Sequence, residues 1–209
     1  MGDQSPSQAA NGDDEVVFVP LGGIGEIGMN VYLYGVGPAD ARQWLMIDLG
    51  LTFPGAEAPG VDVVLPDLSF IASERNQLVG ILITHAHEDH IGAVIDMWPQ
   101  LEAPVFGTPF TLGMLRAKIG EFGGKKAPEL REIPLGSRQK IGPFDIELVD
   151  MSHSIPCGVR IATAEVSGIE CDMSTSSMSK GPIFWRLPSG ISRSSGVFLP
   201  PNSPILARS

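Results

Sequence analysis

The stretch that most constrains this chain is residues 79–98, where "VGILIT" runs straight into "HAHEDHIGAVIDMW". Six apolar or small residues bounded by polar ones read as a short buried strand. Behind it Ile91, Val94, Ile95 and Trp98 recur at helical spacing, so one amphipathic helix is expected there. A buried strand feeding a helix is the unit from which parallel sheets are wound. Other segments extend the pattern. "VVFVPL", "VYLYGV" and "QWLMIDLG" read as strands, each rich in β-branched or aromatic residues and stopped by Pro or Gly. "PFTLGMLRAKIGEF" reads as a helix opening with proline, and "PFDIELVDM" as a return to strand. Strands interleaved with helices place the chain in the α/β class.

With 209 residues and 43% hydrophobic content, the chain has the material for one domain with a sizeable core. Residues 1–15 are small, polar and acidic, and are expected to be disordered; the domain is expected over 16–156. From 157 to 209 the composition turns rich in Ser, Pro and Gly, with no acid after Asp172. "GVRIATAEVSGIE" has the composition for one or two strands, and the rest of this atypical tail reads as irregular, as a frameshift or truncation would leave it. The net charge of −10 sets the whole-molecule field against nucleic acid, so any RNA or DNA contact must come from a local site. Two cysteines, Cys157 and Cys171, are too few for a disulfide framework. With neither a secretion signal nor an apolar run long enough to span a bilayer, the expectation is a cytoplasmic protein with no membrane partner.

"GIGEIG", Gly23 to Gly28, fits a dinucleotide fingerprint, with Asp48 where a ribose-binding acid would stand. That fingerprint requires a helix after its last glycine. "MNVYLYGVG" is β-prone and broken by Gly35 and Gly37, so the glycines read as a tight turn and no nucleotide is expected there.

Three of the four histidines fall within residues 85–90, beside Glu88 and Asp89. In an extended stretch side chains alternate, so His85 and His87 project to one side and can share an ion, while Asp89 and His90 follow on the first turn of the helix. Imidazole and carboxylate suit zinc at roughly 2.0–2.2 Å. Glu88 points away and reads as solvated charge. Asp48 closes the strand "WLMID" and is expected near the ions, either accepting a ring N–H from a ligand histidine or capping a turn. His153, in "DMSHSIP", lies just past another strand, where it completes a three-histidine site with His85 and His87 or serves structure alone.

These motifs carry a resemblance. "THAHEDH" is similar to the H-x-H-x-D-H signature of the metallo-β-lactamase fold, and "LGGIGEIGMN", "PGVDVVLPD", "ITHAHEDHIGAV" and "VDMSHSIP" together resemble the N-terminal part of the bacterial ribonuclease J family, from about Phe18 to Pro156. The resemblance implies an αββα sandwich, here only its first part. It also implies a zinc-dependent nuclease that degrades and matures RNA, ribosomal RNA included, as a 5′–3′ exonuclease and an endonuclease, and a homo-oligomer. By motif, His85, His87 and His153 would hold one zinc ion, with Asp89 and His90 on a second. Asp48 and Asp89 would be the carboxylates of the catalytic machinery.

The same resemblance marks what the chain lacks. The family continues with a metal-bridging aspartate, an inserted β-CASP domain and a returning histidine. After Pro156 this sequence has no histidine, and its only acids are Glu165, Glu170 and Asp172. Two readings follow: a ribonuclease J whose chain is incomplete and therefore inactive as it stands, or a non-catalytic metal-binding remnant serving as an interaction module. A third is a small-ester or thioester hydrolase on the same fold. A sheet stopped after the strand leading to His153 would also expose an unpaired edge.

Overall fold

The computed structural model describes residues 15–56, 58–122, 126–149, 158–163, 170–173 and 206–208. Two sheets lie face to face. The first has six strands: β1 (Glu15–Gly22), β2 (Val31–Gly37), β3 (Gln43–Ile47), β5 (Leu78–Leu82), β6 (Val105–Gly107) and β7 (Leu130–Glu132), in the order β1-β2-β3-β5-β6-β7. β1, β2 and β3 pair antiparallel, whereas β3, β5, β6 and β7 run parallel and so need the crossovers that carry the helices. The second sheet is antiparallel, with β8 (Arg138–Ile141), β9 (Phe144–Val149), β10 (Gly158–Thr163) and β11 (Glu170–Met173) in the order β11-β10-β9-β8. A small third pairing joins β4 (Val63–Leu65) to β12 (Leu206–Arg208).

The period-two alternation of the strands decides what fills each layer. Leu33, Trp44, Met46, Ile81 and Ile83 face one way and pack with Ile91, Val94, Trp98, Leu112 and Leu115 from the helical segments. Their sequence neighbours Tyr32, Tyr34, Leu45, Ile47 and Leu82 face the other way, onto Phe144, Ile146 and Leu148 of β9. Every residue of β2 is buried, as expected for a strand covered on both faces. The described residues thus build three layers, helices on sheet on sheet, of the expected αββα sandwich.

Helix α4 (Pro109–Phe122) forms over the predicted residues. Thr108 caps it, its hydroxyl accepting the Thr111 amide at 3.1 Å, with Pro109 as the first helical residue. The single helix expected after the histidines is broken into α2 (Glu88–Ile91), α3 (Val94–Met97) and a 3₁₀ turn over Trp98–Gln100. A neighbouring segment intercepts its hydrogen bonds. The carbonyls of Asp89 and His90 accept from the Asn30 and Leu49 amides at 2.9 and 2.8 Å, and the Ala93 amide donates to Leu49 at 3.0 Å instead of to its own helix. The apolar spacing survives: Ile91, Val94 and Trp98 are buried, and Ile95 half-buried.

Short elements without their own patterning escaped sequence reading: β4, β6, β7, β8 and the helical turn α1 (Ser69–Ser73). Nor does the second sheet stop after β9. β10 pairs with β9 over six residues and β11 with β10, so β9 is not the exposed edge that the sequence suggested. The disordered segment expected over residues 1–15 lies outside the described residues except Glu15, and most of the 157–209 tail does as well. Among the described residues, no helix is long and apolar enough to cross a membrane.

Candidate metal centre

Residues 48–51 and the loop 84–91 meet at the end of β3 and β5, where parallel strands hand over to their helices. The two backbones approach so closely that a Cβ on Gly50 would stand 1.7 Å from the Asp89 carbonyl oxygen, so only glycine fits. Asp48 takes a left-handed φ of 60°, which turns its carboxylate back into the protein. There it accepts the Thr84 amide at 2.7 Å and the Thr84 hydroxyl at 2.8 Å. It also faces His90 Nδ1 at 2.6 Å.

His85 and His87 project to the same side, as alternation requires, with His85 Nε2 and His87 Nδ1 2.9 Å apart. Two ring nitrogens converging on one point is what a shared cation would need. His85 is buried, His87 half-buried, and the His85 ring lies 3.8 Å from that of His90. On the other side of His90, Nε2 is 3.3 Å from Asp89 Oδ2. His153 lies outside the described residues. Among the described residues no trio of His, Cys, Asp or Glu is arranged around one point. They supply two converging pairs, His85 with His87 and Asp89 with His90, whose imidazole and carboxylate donors fit a zinc-like ion.

Charge in this buried corner is balanced locally. Burial works against a charged imidazole, but the Asp48 carboxylate, with help from Asp89, outweighs it and pushes His90 up to about 9. Burial would raise Asp89, yet the hydrogen bond from His90 holds it below the ordinary carboxylate range. Tyr32 is pushed up strongly by burial and then by the Asp48 and Asp89 charges, so its hydroxyl stays protonated. That hydroxyl donates to Asn30 Oδ1 at 2.8 Å, which aims Asn30 Nδ2 at Asp89 Oδ2, 2.9 Å away.

Thr84, Asn30 and Tyr32 are site residues that sequence reasoning did not single out. Asn30 follows the glycine turn directly, and Thr84 precedes the first histidine; position beside the motifs was the available signal. The glycine turn itself has Gly23, Gly25 and Gly28 at positive φ and leads into β2 instead of a helix. Glu88 is more than solvated charge: Lys118 of α4 donates to both its carboxylate oxygens at 2.5 and 2.6 Å.

The sequence matches the metallo-beta-lactamase superfamily over residues 24–160. The chain belongs to that superfamily. Within it, the sequence is 54% identical to a ribonuclease J of Sinorhizobium meliloti over 144 residues, 69% of this chain and 26% of that protein. It is 39% identical to ribonuclease J of Helicobacter pylori over 150 residues, 69% of this chain and 21% of the relative. A Thermus thermophilus ribonuclease J is 36% identical over 169 residues, covering 76% of this chain and 29% of the relative. This superfamily member therefore resembles an N-terminal part of ribonuclease J, and it spans about a quarter of the length of these relatives.

Proposed function

We propose that this chain carries part of the metal-binding site of a zinc-dependent ribonuclease of the ribonuclease J type, and that on its own it holds one ion far better than two. The supporting observation is the 2.9 Å convergence of His85 Nε2 and His87 Nδ1, next to a His90 anchored by Asp48, in a sequence similar to ribonuclease J. His85 and His87, completed by His153, would hold the tighter ion; Asp89 and His90 would offer ligands to the second. A divalent ion bound there would polarise a phosphate oxygen and acidify a water, chemistry that needs no side-chain nucleophile. Asp48 keeps the Nδ1 proton of His90 and so directs Nε2 toward Asp89. Asn30 and Tyr32 fix the Asp89 carboxylate.

The substrate class supported is RNA, met in an acidic protein through local cations at the site instead of the whole-molecule field. The expected reaction is phosphodiester cleavage, both 5′–3′ exonucleolytic and endonucleolytic, in a cytoplasmic homo-oligomer. The competing reading, a metal-binding module without catalysis, draws on the second pair, Asp89 and His90, which by itself offers an ion two ligands where a zinc site commonly has four. Zinc and manganese content per chain, followed by incubation with a 5′-monophosphorylated RNA with and without chelator, separates the two. Metal uptake with chelator-sensitive RNA cleavage supports the nuclease, and metal uptake without cleavage supports the module. Turnover of thioesters without RNA cleavage would instead favour the small-ester hydrolase.

A further inference from the structure

We infer that Thr84 is a positioning residue which fixes the ring tautomer of His85, coupling the Asp48–His90 pair to the His85–His87 pair. The inference deepens the metal-centre reading above and rests on it for its functional meaning. The Thr84 side chain is buried, and its Oγ1 lies 2.8 and 3.0 Å from the two Asp48 oxygens and 3.0 Å from His85 Nδ1. A hydroxyl has one proton to give, and a carboxylate has none. The Thr84 proton must therefore lie toward Asp48, because two oxygens at 2.8 Å without a proton between them would repel. With that proton committed, the contact to His85 is a hydrogen bond only if His85 Nδ1 carries its own hydrogen and donates it to Oγ1. His85 is then the Nδ1–H tautomer, and its lone pair sits on Nε2, the atom that converges with His87 Nδ1.

The same logic applies to His90, whose Nδ1 lies 2.6 Å from Asp48 Oδ2 and 3.3 Å from Thr84 Oγ1, so its Nδ1–H goes to the carboxylate. One buried Asp48–Thr84 unit thus places a proton on Nδ1 of both rings, which leaves for coordination Nε2 of neutral His85, and Nε2 of His90 once that ring has given up its second proton. Asp48 reaches His90 directly but reaches His85 only through the hydroxyl of Thr84, which gives residue 84 a role no apolar side chain of its shape could fill.

The test uses the full chain, labelled with ¹⁵N in its histidines, as wild type, Thr84→Val and Thr84→Ser. Ring ¹⁵N shifts of metal-free protein at a pH where His85 is neutral should show the Nδ1–H form in wild type and in Thr84→Ser. In Thr84→Val the Nε2–H form should gain population. Zinc affinity from competition with a chromophoric chelator should fall roughly 10- to 100-fold in Thr84→Val and return in Thr84→Ser. An Nε2–H tautomer for His85 in the wild-type protein overturns the inference with no variant needed, and so does a Thr84→Val protein with unchanged tautomer and affinity. A tautomer that responds to Thr84→Val in a chain that takes up no zinc would overturn the metal reading while leaving the hydrogen-bond role standing.

Discussion

His90 Nδ1 and Asp48 Oδ2 stand 2.6 Å apart with both side chains buried, a charge-assisted contact shut away from water between the end of β3 and the first turn of α2. Its stability signature follows from the sign of the shift. His90 is raised from about 6.5 to about 9 in the folded protein. The contribution is fully present below pH 6.5 and is lost as pH rises through 9. Urea midpoints of the metal-free protein should therefore fall between pH 6.5 and 9.5, by on the order of 2–3 kcal/mol in unfolding free energy. His90→Gln should flatten that slope.

Asp48→Asn keeps the shape and removes the charge. In that variant His90 should titrate close to the ordinary histidine range, followed by its ring proton shifts, and zinc affinity should drop about 10- to 100-fold, as loss of a partner behind a ligand generally does. Unchanged titration of His90 would mean that another group holds its proton.

His85→Ala should lower zinc bound per chain, measured by elemental analysis after dialysis, because it removes one of the two nitrogens that converge at 2.9 Å. Equal zinc in variant and wild type would show that the ion sits elsewhere.

Gly50→Ala tests the close approach of the two backbones. With the Asp89 carbonyl 1.7 Å from the new methyl, the first turn of α2 must move outward. The expected cost is at least about 1–3 kcal/mol, the usual range for overpacking, read as a melting temperature several degrees lower.

How much of this was legible in sequence depended on whether the signal was local. The buried run 79–84, the β-branched and aromatic runs of β2 and β3 and the proline-opened segment of α4 announced themselves, because each element's own residues decide its form. Three-residue strands such as β6 and β7 carry no period to read, and they exist because a neighbour supplies hydrogen bonds. The break between α2 and α3 was hidden for the same reason: the donors that capture the Asp89 and His90 carbonyls belong to Asn30 and Leu49, far away in the chain. At the site, the clustering of His85, His87 and His90 was plain. The contributions of Thr84, Asn30 and Tyr32 were not, since a threonine or asparagine becomes informative only when its partners are known.

The contacts that make this corner have a consequence for how the protein comes into being. Asn30 meets Asp89 across 59 positions of chain, and Asp48 meets His90 across 42 and Thr84 across 36. Closing such loops is slow and must precede any reward from the contacts, so the corner is a late event on the folding route. A nascent or half-folded chain has the local His85–His87 pair but not the Asp48 and Asn30 contacts that hold His90, Thr84 and Asp89 in the corner. Metal capture by the whole corner therefore reports on completed strand pairing, and zinc supplied during refolding should leave the early rates alone while slowing the reverse reaction, in which β3 and β5 separate.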